Sequence, residues 1–113
     1  MRGIGTDIIE INRIREIKHR ERFVQKILSE KEQAIYYRFK NEQRKDEYLA
    51  GRWAVKEAIY KAATNQCQDL AYRSFSILND ETGALYLAEP YFDKIHLSLS
   101  HCKNYTVAFV ILE

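Results

Sequence analysis

Two acids and a lysine carry most of the chemical interest of this chain. Asp7 interrupts an apolar stretch, "GIGTDII" (residues 3–9), and Glu57 and Lys61 lie one helical turn apart in "LAGRWAVKEAIYKAA" (residues 49–63). Each has an ordinary reading. Glu57 and Lys61 at i, i+4 can form a surface ion pair worth about 0.2–0.5 kcal/mol, and Asp7 can end a strand and cap the next turn. The chemical reading is that Asp7 and Glu57 share a divalent cation. Two carboxylates completed by water and phosphate oxygens suit magnesium, which rarely takes an all-protein cage. Lys61 would then face the phosphates as a point charge.

A third piece lies near the end, in "HLSLSH" (residues 96–101). In an extended chain Leu97 and Leu99 point one way and His96, Ser98 and Ser100 the other. His101 ends the run, either as a surface histidine or as a contact to a phosphate or base, with the serines donating hydrogen bonds. The histidines have no zinc-like spacing, neither of the two cysteines (Cys67, Cys102) has an evident activating base, and no P-loop, dinucleotide fingerprint or nucleophile elbow occurs.

These groups need elements to carry them. Residues 3–9 alternate as a strand, with Asp7 on the face of Gly3 and Gly5, where missing side chains leave space for a ligand or a second backbone. Asn12 can cap a helix over "RIREIKHRERFVQKIL", whose remaining surface is basic. Ser29 followed by Glu32 is a capping box opening a second helix, "EKEQAIYYRF". Asn41 can cap a third, longer helix running to about Ala63. At 100° per residue, Tyr48, Val55, Ile59 and Ala62 form its core stripe. Ala50, Trp53 and Ala54 share the other face with Glu57 and Lys61, a floor of small side chains walled by an indole. Gly51 costs about 1 kcal/mol relative to alanine in a helix, which implies close approach by another group. Beyond, "FSILND" and "ALYL" make a hairpin through "DETG", and "IHLSLSH" and "YTVAFVIL" make another through "CKN". The order predicts an α+β fold, an antiparallel sheet with three helices packed on it.

The 113 residues fit one domain, residues 1–113, with 46% apolar and 30% charged residues as in a soluble globular chain. A net charge of +2 is too balanced for a dedicated nucleic-acid binder. No run approaches the length of a membrane span and no signal-peptide core opens the chain, so a cytoplasmic location is expected.

Taken together, "GIGTDIIEINRI", "RKDEYLAGRWAVKEAIYKA" and "HLSLSHCKNYTVAFVI" resemble the holo-acyl-carrier-protein synthase family, the short bacterial 4′-phosphopantetheinyl transferases, over nearly the whole chain. The resemblance implies transfer of the 4′-phosphopantetheine arm of coenzyme A to a serine of an apo-acyl carrier protein, with release of 3′,5′-ADP. It implies that Asp7 and Glu57 hold Mg2+ with the coenzyme A pyrophosphate, and that Lys61 lies by the phosphates. Ser100 and His101 would border the adenosine-phosphate end, with Arg44, Arg52 and Lys56 as basic cofactor-site residues. The first helix would dock the acidic carrier through Arg13, Arg20, Arg22 and Phe23. The family forms homotrimers with active sites between subunits. Two stretches depart from its pattern: "ATNQCQDL" replaces a glycine-rich turn, and "GAL" (residues 83–85) lacks the usual proline. Two other classes compete: a small RNA-binding module stacking bases on Tyr36, Tyr37 and Tyr105, and a carrier-binding protein without catalysis.

Overall fold

Five strands and four helices follow one another in a computed structural model that describes residues 2–64, 66, 67 and 69–113. Strand β1 (Gly3–Glu10) leads to α1 (Asn12–Arg15), α2 (Arg20–Ile27), α3 (Glu30–Tyr36) and the long α4 (Glu42–Ala63). A 3-10 turn at Tyr72–Ser74 precedes β2 (Ile77–Asn79), β3 (Leu85–Leu87), β4 (Ile95–His101) and β5 (Tyr105–Leu112). The fold is α+β. β1, β5 and β4 form one antiparallel sheet in that order, and β2 and β3 form a separate two-stranded ribbon. Both expected hairpins are present.

The expected first helix is two. Its apolar positions explain the break: on one continuous helix Ile14 and Ile27 would lie about 140° apart, yet both are buried. Interrupting the helix before His19 lets each short piece turn its own residues inward. Asn12 caps nothing, and α1 is preceded by Ile11. Arg20 spans the break instead, donating to the Ile14 carbonyl oxygen at 2.9 Å and to Asp46 at 2.9 Å. The capping box at Ser29 and Glu32 forms, and Asn41 caps α4 by accepting from the Arg44 amide.

Helix α4 is buried on nearly every side, against β1 and β5 on one flank and the shorter helices on the other. Val55, Ile59 and Ala62 lie in the core as the stripe predicts. A Cβ on Gly3 or Gly5 would fall on the carbonyl oxygens of Ala62 and Ala58, so these glycines admit the backbone of α4. The expected ligand floor on α4 is corrected. Ala50 and Ala54 are completely buried, and the space beside Gly51 is filled by Leu99, whose Cδ2 would sit 2.9 Å from an added Cβ. Small residues here let helix and sheet close on each other.

The far face of the sheet is bare. Ile4 and Ile8 of β1 stand opposite Ile111 and Val107 of β5, with Phe109 between them. Ile4 is 53% and Ile8 61% exposed.

Candidate active site

Gly3 and Gly5 seat β1 on α4 against Ala62 and Ala58 in turn, so the two elements run in opposite directions and Asp7, the next residue on that face, lies back along α4 from its C-terminal end. Lys61 Nζ meets it there, donating to Asp7 Oδ1 and to the Thr6 carbonyl oxygen, each at 3.0 Å. The Asp7 side chain is 17% exposed and that of Lys61 55%. An ion pair this wet contributes under about 1 kcal/mol, so Lys61 can leave Asp7 for another anion at small cost. The i, i+4 pair that the helix alone allows does not form among the described residues. Glu57 accepts instead from the Tyr72 hydroxyl, with Oη 2.7 Å from Oε1. Burial, then the Glu57 hydrogen bond and charge, push Tyr72 up to about 12, so it keeps its proton as a donor. Tyr72 escaped the sequence reading. The one signal was an aromatic residue two positions beyond the altered turn, and nothing in sequence aims it at Glu57.

As a cation site Asp7 and Glu57 would offer two hard carboxylates, related through Lys61, which meets Asp7 from one helical turn beyond Glu57. No cluster of three or more histidine, cysteine or acidic side chains joins them among the described residues. The remaining ligands must be water or substrate oxygen, a donor set that fits magnesium bound with phosphates.

A cleft of about 370 Å³ lies on another side of α4, between the helix, β4 and the β2–β3 hairpin. Arg44, Tyr48 and Arg52, spaced i, i+4, i+8, form its wall, with His101 and Asn79 opposite and Gly83 at its edge. Arg52 is held by the Ile77 carbonyl oxygen at 3.1 Å and Asn79 Oδ1 at 2.7 Å, and stacks over Tyr48 at 4.3 Å. The buried Tyr48 hydroxyl has no hydrogen-bond partner among the described residues, and burial pushes it up to about 12. Gly83 takes φ +90°, which explains a glycine at that turn. At the end of α4, in the stretch that replaces a glycine-rich turn, Thr64 takes φ 26°; Asn65 and Gln68 of the same stretch lie outside the described residues.

Two expected cofactor residues are elsewhere. Ser100 pairs with Val107 on the bare face of the sheet, away from the cleft. Lys56 is completely buried in an ion pair with Glu32 and donates to the Ile27 carbonyl oxygen at 2.7 Å. Glu32 also accepts from the amides of Ser29 at 2.9 Å and Ile77 at 2.8 Å. Desolvation draws Lys56 below the usual lysine range, and Glu32 partly offsets it.

The expected docking residues divide. Arg22 and Phe23 border a hollow of about 300 Å³ with Ile17, His19 and Lys26, an apolar floor with a basic rim. Arg13 lies over Trp53 at 5.0 Å, and Phe23 packs edge-on to the same indole at 5.0 Å. Arg20 is committed inward to Asp46, Tyr36 and Ile14. Of the tyrosines that could stack on bases, Tyr36 is buried, while Tyr37 and Tyr105 lie on separate elements.

The acids and the arginine cleft occupy different flanks of one helix. From Arg52 to Glu57 is five residues, about 140° around α4, and their contacts diverge accordingly: Arg52 to β2, Lys61 to β1.

The family model of the 4′-phosphopantetheinyl transferase superfamily matches residues 3–110. Among curated relatives, a holo-[acyl-carrier-protein] synthase of Acholeplasma laidlawii is 42% identical over 113 residues, covering 98% of this chain and 95% of the relative. That of Oceanobacillus iheyensis is 44% identical over 114 residues, with the same coverage of 98% and 95%. Among solved structures, a Bacillus anthracis holo-(acyl-carrier-protein) synthase in complex with CoA (3′,5′-ADP) superposes with a TM-score of 0.88 at 38% identity, covering 99% of this chain and 96% of that one. The Neisseria meningitidis enzyme gives 0.88 at 27% identity, covering 100% and 98%.

Proposed function

The chain belongs to the 4′-phosphopantetheinyl transferase superfamily, and from that premise we propose that it moves the 4′-phosphopantetheine arm of coenzyme A onto a serine of an apo-acyl carrier protein. The observation that carries the reading is the meeting of Asp7 with Lys61, which joins two segments more than fifty residues apart at one exposed corner.

The serine oxygen attacks the phosphorus bearing the pantetheine arm, the bond from that phosphorus to the departing 3′,5′-ADP breaks, and the hydroxyl proton leaves. Asp7 and Glu57 would hold Mg2+, which when bound neutralises charge on the diphosphate oxygens. Lys61 adds a mobile positive charge as negative charge grows on the phosphoryl group. Glu57 orients a water that accepts the serine proton, a role for which a carboxylate shared with a cation is better suited than direct proton abstraction. Arg44, Arg52 and His101 receive the nucleotide end, whose phosphates match two guanidinium groups. The basic rim at Arg13 and Arg22, with Phe23 on its floor, takes the acidic carrier.

The divergent flanks of α4 and the bare sheet face support a site assembled from two copies in a homotrimer: Asp7, Glu57 and Lys61 from one chain, the arginine cleft from its neighbour. Burying an isoleucine or phenylalanine side chain contributes about 1.5–3 kcal/mol, so Ile4, Ile8, Val107 and Phe109 together can offset the cost of association.

Mass measurement of an apo-acyl carrier protein incubated with coenzyme A, Mg2+ and this protein tests the reaction. A gain of one phosphopantetheine is expected, and loss of that gain in Asp7→Ala and Glu57→Ala with circular dichroism unchanged. Near-wild-type transfer by either variant ends the shared-cation reading. Sedimentation at micromolar concentration tests the assembly: a trimer is expected, converted by Ile8→Glu to an inactive monomer, and an active wild-type monomer would refute it.

A further inference from the structure

The bond from Tyr72 to Glu57 is the least expected feature of the site. Tyr72 opens the 3-10 turn after α4, and its ring stands edge-on to Tyr60 at 5.2 Å and 83°. Tyr60 in turn meets the buried Phe75 edge-on at 5.8 Å and donates its hydroxyl to the Leu70 carbonyl oxygen. The aromatic ladder fixes where the Tyr72 hydroxyl must be, and it is 2.7 Å from Glu57 Oε1. Packing explains the ring but not the hydroxyl, since phenylalanine would fill the same space. Among the described residues Glu57 has no lysine partner to hold it, because Lys61 turns to Asp7.

We propose that Tyr72 is a positioning residue that sets which divalent cation the site accepts. Its hydroxyl occupies one lone pair of Glu57 Oε1 and fixes the carboxylate so that Oε2 is the oxygen better placed for a cation. A carboxylate held to one oxygen suits a six-coordinate Mg2+ with near-ideal geometry; Ca2+ takes six to eight oxygens, often from bidentate carboxylates. Partners of ligating groups typically change metal affinity about 10–100-fold when removed. The inference rests on the reading of Glu57 as a cation ligand.

The test titrates Mg2+ and Ca2+ separately into wild type, Tyr72→Phe and Glu57→Gln, each saturated with coenzyme A, and follows heat of binding. Near-ultraviolet circular dichroism checks that the aromatic ladder is intact in Tyr72→Phe. The expected result is about a tenfold loss of Mg2+ affinity in Tyr72→Phe, with Ca2+ affinity unchanged or tighter, so that the preference for Mg2+ falls by at least that factor. A Mg2+ to Ca2+ affinity ratio within about twofold of wild type in Tyr72→Phe would overturn the positioning role while Glu57→Gln still binds Mg2+ poorly. Wild-type Mg2+ affinity in Glu57→Gln would overturn the ligand reading of Glu57, and this inference with it.

Discussion

Replacing Lys56 with methionine separates two accounts of that lysine. In the structure it is buried completely, paired with an equally buried Glu32. Methionine keeps most of the volume and deletes the charge. Glu32 would then be left in the core with only the amides of Ser29 and Ile77 for its negative charge. Breaking a buried pair from one side costs about 3–5 kcal/mol. For 113 residues the whole stability is about 6–17 kcal/mol, so the loss is a large share of it. At about 2.1 cal/mol/K per residue the unfolding entropy is about 0.24 kcal/mol/K, giving a drop in Tm of about 13–21 °C. Urea unfolding at one fixed protein concentration measures it. The double variant Lys56→Met/Glu32→Leu should recover about half, with a coupling near 2 kcal/mol between the sites; the two amides left without an acceptor keep the recovery partial. If Lys56→Met unfolds within about 1 kcal/mol of wild type while coenzyme A binding collapses, the burial argument is wrong and Lys56 serves the cofactor directly.

Gly5→Ala should cost at least about 3 kcal/mol, because its Cβ meets the backbone of α4. Gly51→Ala should stay within about 1 kcal/mol of wild type, helix propensity offsetting the push on a flexible Leu99; thermal unfolding compares them. Reversal at Arg22 should weaken acyl-carrier binding and leave stability and coenzyme A binding unchanged, whereas Arg20→Glu should lower Tm as well, since Asp46 and the Ile14 carbonyl oxygen lose their donor. Separate titrations and melts decide it. Stability should fall as pH rises from about 10 to about 12: Tyr48 and Tyr72 hold their protons to about 12 when folded and release them near 10 when unfolded, so the native state binds more protons across that window. Urea midpoints at pH 9 and 11 should show the fall, and a Tyr48→Phe/Tyr72→Phe variant a shallower one.

Local chemistry was readable where one residue type admits few roles. Ser29 with Glu32 and Asn41 before α4 announced their helices, and the period-two runs gave every strand of the main sheet. The placement of Asp7 on the glycine face was legible too, and so was its approach to α4. The sequence could not show who fills an empty space. Gly51 and Ala54 signal close approach equally for a ligand or for Leu99, and only the packed sheet decides. Nor could it tell a buried lysine from an exposed one: Lys56 and Lys61 stand five apart on one helix, one sealed by Glu32 and the other open. The break between α1 and α2 was hidden because a basic stretch with scattered isoleucines fits one helix as well as two. Tyr72 was invisible because its role depends on a ladder of three rings drawn from either side of a turn.

The opposed flanks of α4 bear on heredity as well as chemistry. If each working centre borrows its acids from one chain and its arginines from the next, a cell carrying two defective copies of the gene need not lack the activity. A chain damaged at Asp7 and another damaged at Arg52, produced in equal amounts and mixed at random, would rebuild an intact junction in about one pairing of four. Two lesions on the same flank would rebuild none, so crosses between alleles would sort the residues by flank without a single coordinate.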